Sequence, residues 1–277
     1  DGRGLLEEAV GRDTRPEGSG SLGRGIVSQC DTADRCGHLE LRASVIAGNR
    51  NTGVFIGGPD ASVNGSVIKD TLPRFSDGLW GTGISHQCHP QAGVCGRLEV
   101  SGSVLEGNTT AGLYLAGGEV EVFRTVIRDT RSSPDDGGDG QGILAQCEPT
   151  VGRCTSLGVS ETLVSGNRRH GLSLNGGDTR LASTIVRDTT PDGSLEPHGT
   201  GISGTCSALT GDCGTLELDR CVVERSRESG IRLSGLTTHV RRSVIRDTLP
   251  SATGDFGAGI AVTCDEILST CAPFVAF

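Results

Sequence analysis

The stretch SVIAGNRNTGVFIGGPDASVNGSVIKDT, residues 44–71, decides the fold. It opens on Ser-Val-Ile and returns to Ser-Val-Ile at residues 66–68. Between these lie two more short segments, GVFIGG (53–58) and ASVNG (61–65), parted by glycine-rich corners. Apolar residues recur at every second position, the period of a strand whose side chains point alternately to two faces. Val54 and Ile56 therefore point inward and Phe55 outward, and equivalent inward pairs recur as Leu113/Leu115, Leu172/Leu174 and Ile231/Leu233. From Asn49 to Asp70 the chain advances 21 residues. At about 3.3 Å per residue, that length closes three strands and three turns, one circuit of a solenoid.

Working outward, Gly-x-Gly-Ile segments end in Cys30, Cys88, Cys147, Cys206 and Cys264, at spacings of 58, 59, 59 and 58 residues. The same register aligns Asn49, Asn108 and Asn167, and separately Asp70, Asp129, Asp188 and Asp247, each of these followed by threonine. A period held this tightly marks a repeat architecture. SVIAGN and SVIKDT are versions of one motif, and 38 residues separate Asp70 from Asn108. Each unit is thus two coils, one short and one carrying two insertions. Helix-pair solenoids are excluded by the 44 glycines, because an interior helical glycine costs about 1 kcal/mol. A leucine-rich horseshoe needs a helical segment per repeat, and none is visible.

The S-V-I-x-G-N-x-x-x-G-I/L-x-L rhythm, spread over residues 6–264, resembles the parallel β-helix repeats of the pectin-lyase-like superfamily. The expected fold is all-β: a right-handed parallel β-helix solenoid of about nine coils, two per 58–59-residue repeat, in a single domain over residues 1–277. Residues 7–26 align with 124–143, and CAPFVAF (271–277) breaks off where the next strand is due, so the chain is expected to continue or to stack on something at its ends. The superfamily also has a ladder of stacked asparagines. Asn49, Asp70, Asn108, Asp129, Asn167, Asp188 and Asp247 are expected to form such a structural ladder here. Ser44, Ser66, Ser103, Thr125, Thr162, Thr184, Cys221 and Ser243 share another position and are expected to stack at a corner.

A third column, Val45, Val67, Val104, Val126, Leu163, Ile185, Val222 and Val244, points outward by alternation. An external aliphatic stripe needs a cover, and Leu72, Phe75, Leu79 and Trp80 of the insertions are the residues expected to fold over part of it; the alternatives are a corner that reverses the parity, or a docking face.

Ten of the eleven cysteines form close pairs, Cys30/Cys36, Cys88/Cys95, Cys147/Cys154, Cys206/Cys213 and Cys264/Cys271. Their gaps of five or six residues are too long for zinc-type pairs, and successive pairs lie two coils apart, about 10 Å along the axis. Disulfides are the expectation, and with them a secreted, periplasmic or cell-surface location. Cys221 stands in for a Ser/Thr and is expected to be a buried free thiol.

Enzymes of the pectin-lyase-like fold work on an outward strand face, with acidic residues on adjacent coils. Outward positions of the first strand are Val27, Phe55, Ser85, Tyr114, Leu144, Ser173, Ser203, Arg232 and Ala261, with no carboxylate among them. On the second strand they are Glu40, Ser62, Glu99, Glu121, Gly158, Arg180, Glu217 and His239. Glu99 and Glu121 fall on successive coils, about 5 Å apart, the spacing of a retaining glycosidase pair, and are the catalytic candidates. His86 has the spacing of an interior residue. Asp135, Asp136 and Asp139, in SPDDGGDG, are the candidates for a calcium site, though no EF-hand or nonapeptide pattern surrounds them. No other cofactor is implied.

A net charge of −9 argues against nucleic acid or an anionic membrane as partner, and no apolar run approaches the length of a membrane span. The expected function is a non-catalytic extracellular or cell-surface scaffold for adhesion, assembly, or binding of a protein or polysaccharide, including end-to-end self-assembly. The alternative is a polysaccharide lyase or glycoside hydrolase acting through Glu99 and Glu121.

Overall fold

In the computed structural model of the chain, the residues described are 3–15, 23–31, 35–133, 139–192, 199–250, 254, 257–265, 268, 271 and 273–276. Three parallel sheets run through them, and each coil visits all three in the same order. Sheet A takes strands such as Asp60–Asn64 and Arg97–Ser101, sheet B the three-residue strands such as Val67–Lys69, and sheet C strands such as Thr52–Gly57 and Thr82–Gln87. Nine such circuits follow one another from Arg3 to Thr263, and Phe274–Ala276 adds one more strand to sheet A. Each strand pairs in register with its equivalents in the coils before and after, as Val54 does with Ile26 and Ile84.

The core is aliphatic, as eight aromatics in 277 residues require. Each coil sends inward two residues from sheet C, two from sheet A and one from sheet B. Ile84 and His86, Leu98 and Val100, and Leu105 do so in one coil, all fully buried. Burying a Leu or Ile side chain contributes about 1.5–3 kcal/mol, and the stacked coils bury one continuous column of them.

The corner from sheet A to sheet B is two residues long in every coil. Its first residue has positive φ whether it is Gly65 (57°), Ala43 (45°), Arg124 (47°) or Ser183 (50°). This conformation costs a non-glycine residue roughly 1–2 kcal/mol, and it persists because the ladder of backbone bonds continues through it: Ala43 N–H donates to Asn64 O, and Gly65 N–H to Ser101 O. The second residue is the stacked hydroxyl. Ser44 N–H donates to Ser66 Oγ (3.1 Å) and Ser66 N–H to Ser103 Oγ (3.1 Å), while each hydroxyl donates to the carbonyl two residues before it (3.0 Å for Ser66 to Asn64). Cys221 fills this position in its coil, its thiol on Asp219 O, and burial pushes that thiol's pKa up.

The corner from sheet B to sheet C corrects the expected Asx ladder. Asn49, Asn108 and Asn167 are fully buried, and their stacking partners are Thr71, Thr130 and Thr189 rather than the aspartates. Thr71 N–H donates to Asn108 Oδ1 and Thr130 N–H to Asn167 Oδ1 (both 3.1 Å), while Asn108 Nδ2 donates to Ile68 O (3.2 Å). Coils therefore step by 22 and 37 residues. Asp70, Asp129, Asp188 and Asp247 occupy the preceding position, with φ between 52° and 57° and side chains turned outward, where the short coils place Gly48, Gly107 and Gly166. Aspartate tolerates the left-handed region better than most residues. It also explains the glycines: a Cβ on Gly107 would lie 2.7 Å from Asp70 Oδ1 of the coil before, and one on Gly166 2.6 Å from Asp129 Oδ1.

The outward aliphatic stripe of sheet B is real, and the expected cover is not over it. Val45, Val67, Val104, Val126, Leu163, Ile185, Val222 and Val244 form one ladder, with Ile185 39% and Val244 48% exposed. The insertion carrying Phe75 and Trp80 lies toward sheet C instead. Trp80 packs edge-on against Tyr114 and Arg50 covers the Phe75 ring. The stripe is one residue wide and its side chains, β-branched except for Leu163, stack on their own neighbours, which shields part of each without a lid.

His86 lies in the core between Ile56 and Leu115, with neither ring nitrogen hydrogen-bonded, and burial lowers its pKa to about 4. The folded state therefore favours the neutral ring and the unfolded state takes the proton first. Stability is unaffected above pH 6.5 and falls by about 3 kcal/mol as the pH drops from 6.5 to 4. Urea unfolding of wild type and His86→Leu across that range should show the wild-type loss and a shallower slope for the variant. In the ladder, Asn108→Ala strands the Thr71 N–H and should cost about 2–3 kcal/mol, whereas Asp129→Ala, whose side chain is exposed, should cost under about 1 kcal/mol.

Candidate functional site: a walled groove on sheet C

Both insertions of the long coil fall at the borders of one sheet. Residues 70–81, between Val67–Lys69 and Thr82–Gln87, rise where the chain enters sheet C. Residues 88–96, before Arg97–Ser101, rise where it leaves. Insertions recur at both borders in the sequence of each unit, the entry insertion 70–81 being described throughout, so sheet C is a floor bordered by loops, while sheets A and B meet along an edge of two-residue corners.

The exit rank is fixed covalently. Disulfides join Cys30–Cys36, Cys88–Cys95, Cys147–Cys154, Cys206–Cys213 and Cys264–Cys271, as the spacing required. Three of the bridges, those of Cys30, Cys88 and Cys147, stand over a glycine of the next short coil. A Cβ on Gly117 would be 2.5 Å from Cys88 Sγ, and one on Gly176 2.8 Å from Cys147 Sγ, so a bridge is admitted only where the following coil has no side chain.

The floor consists of two outward rows. One runs Val27, Phe55, Ser85, Tyr114, Leu144, Ser173, Ser203, Arg232, Ala261 in register. The other, two residues on, runs Gln29, Gly57, Gln87, Ala116, Gln146, Asn175, Thr205, Ser234, Thr263. Polar groups bond along and across the rows: Gln87 Nε2 donates to Ser85 Oγ (2.8 Å), Gln146 Nε2 to Tyr114 Oη (2.9 Å), and Thr205 Oγ1 to Asn175 Oδ1 (3.0 Å). Burial raises the Tyr114 phenol's pKa, with the Glu148 charge adding to the effect. The single Trp, the single Tyr and Phe55 all border this floor, at its N-terminal half. Toward the C-terminal half it deepens into a cleft of about 790 Å3, floored by Asn175, Ser203 and Thr205, with Arg169 and Arg232 along it and Leu209 at its rim.

Glu99 and Glu121 stand elsewhere, adjacent in register on the outer face of sheet A and both exposed. The Glu121 carboxylate lies over Gly158 of the following coil, on the side away from Glu99. There it borders a shallow trough of about 550 Å3 with Asp178, Arg180 and Glu217, and Glu99 is not part of that lining. His86 is interior, as its spacing required. Of the calcium candidates, Asp135 and Asp136 lie outside the described residues. Asp139 accepts a long bond from Gln141 Nε2 (3.5 Å). Asp77 pairs with Arg74 and caps its own loop at Leu79 N–H, and the buried Asp192 side chain faces Arg169. Among the described residues no three His, Cys, Asp or Glu side chains gather as metal ligands.

These features define a parallel β-helix with a loop-walled groove on one sheet. Among solved structures, the chain is similar to the pectate lyase Pel9A, with a TM-score of 0.51 and 15% identity over 83% of this chain and 54% of that one. The likeness establishes the fold, and the chain spans about half the length of that enzyme. No protein-family model matches the chain, and no curated protein does.

If the five bridges hold, thiol titration of the denatured, unreduced protein should find one free thiol per chain, Cys221, and reduction should expose all eleven cysteines.

Proposed function

We propose that this chain is a non-catalytic scaffold of an extracytoplasmic compartment that binds an extended partner, a polysaccharide in the first instance, along the groove of sheet C. The observation that carries this reading is the coincidence of both insertions, the five disulfides and a cleft of about 790 Å3 on a single sheet. Covalent bracing of short surface loops reduces the entropy a partner must remove on binding. A floor of amides and hydroxyls beside aromatic rings offers the mix of directional polar groups and apolar faces that sugar rings present in return. Five disulfides in a chain of this size fit an oxidising compartment.

One observation favours a second reading, a lyase or hydrolase of the same fold: Glu99 and Glu121 are neighbours on adjacent coils, and Glu121 borders a concavity with Arg180. The two readings separate by mutation. Ser203→Trp fills the floor of the cleft and should abolish retention on the polysaccharide found by glycan array, while the double variant Glu99→Gln, Glu121→Gln should bind like wild type. Bond cleavage of that polysaccharide, lost in the double variant, would establish the enzyme instead.

A further inference from the structure

The N-terminal half of the groove holds a cation without a counter-ion among the described residues. Arg24 lies just before the strand Ile26–Gln29, and its guanidinium is stacked on the Phe55 ring, 3.8 Å from the ring centroid. It has no carboxylate partner among the described residues, and its Nε is buried with no hydrogen-bond acceptor. Several other arginines at corners and along the sheets are paired, among them Arg128 with Glu106, Arg225 with Asp188, and Arg246 with Glu224. A second cation makes the position worse for Arg24 on its own. Burial, and then repulsion from Arg74, lower its pKa. Arg74 itself is held by Asp77 and faces the Trp80 ring at 5.8 Å.

An uncompensated, partly desolvated guanidinium is unfavourable unless something supplies an anion. Its orientation is already fixed by the aromatic ring beneath it, so little rotamer freedom remains to be lost when a planar, two-point partner arrives. Phe55 is an outward residue of the groove floor, between Val27 and Ser85 in the same row. The cation therefore sits where a chain lying along that floor would pass.

Resting on the groove reading above, we infer that Arg24, backed by Phe55 and flanked by Arg74, is a subsite for one oxyanion of the bound chain, a carboxylate or a sulfate ester. A carboxylate or sulfate presents paired oxygens that the guanidinium fork can receive at two points. The neighbouring floor residues Ser85, Gln87 and Tyr114 are neutral, so in this half of the groove the charge is read at this one position; Arg169 and Arg232 of the other half are paired with Asp192 and Glu228.

Trp80 is the only tryptophan and packs against Tyr114 with ring centroids 5.8 Å apart, so its emission reports occupancy of this half of the groove. Three probes, hexagalacturonate, a heparin hexasaccharide and cellohexaose, would be titrated against wild type, Arg24→Gln, Arg24→Lys and the sheet A control Arg180→Gln. At least one anionic probe is expected to shift Trp80 emission with an affinity that weakens with salt. Arg24→Gln should lower that affinity at least tenfold, Arg24→Lys should restore part of it, and Arg180→Gln should leave it unchanged. Response to hexagalacturonate alone assigns the oxyanion to a carboxylate, and response to the heparin fragment alone to a sulfate ester. An affinity equal in wild type and Arg24→Gln, or cellohexaose binding as tightly as the anionic probes, overturns the subsite and leaves the groove standing. Failure of all three probes to bind by calorimetry as well as by fluorescence overturns the groove reading and the subsite with it.

Discussion

Everything in this molecule depends on one constraint: each residue must be compatible with the residue one coil above and one coil below it. In-register parallel pairing fixes that neighbour completely, as Val45, Val67 and Val104 illustrate on sheet B. The consequence is sharpest at the corners, where backbone groups turn away from the regular strand geometry and must still be paired. At one corner a column of Ser and Thr hydroxyls carries the ladder round the bend. At another, asparagines reach back to the preceding coil's threonine N–H and to a carbonyl beyond it. A strained left-handed residue is tolerated in every coil because the stack above and below leaves it no alternative.

The same constraint made much of the fold legible before any coordinates. Period-two alternation identified the strands and the inward pairs Val54/Ile56 and Leu113/Leu115, and the unit length identified the pairing of coils. Where the sequence misled, it did so by chemistry overriding position. Asn49 and Asp70 look alike as turn residues, yet aligning SVIAGN with SVIKDT column by column puts Gly48 against Asp70 and Asn49 against Thr71. Glycine and aspartate share that place because both accept a left-handed backbone, a similarity of φ that side-chain chemistry hides. The cover over the aliphatic stripe misled differently: apolar residues of an insertion match any nearby apolar surface in sequence, whereas Trp80 packs against Tyr114 of another sheet.

The groove was within reach of the sequence. Two insertions per unit were evident, and so was the strand they bracket, because the Gly-x-Gly-Ile segment lies between them. Carboxylates do not mark it: the outward pair Glu99 and Glu121 stands on another face, without walls. Arg24 was out of reach by contrast. Nothing in its sequence neighbourhood distinguishes it from the other arginines, and its stacking on Phe55 with no carboxylate partner among the described residues is a property of the folded chain alone.

The alternation of one looped coil with one bare coil has a consequence for how such a protein changes size. Because each two-coil unit brings its own stretch of floor, its own pair of walls and its own bridge, adding or deleting a unit lengthens or shortens the groove by a fixed step of about 10 Å without altering its cross-section. Contacts with a repeating polymer would then be gained or lost in whole units, and affinity would change in multiplicative increments rather than by adjustment of any single pocket. A molecule built this way is graduated like a gauge, with contact length counted in units and chemical selectivity confined to the few positions where one unit departs from the rest.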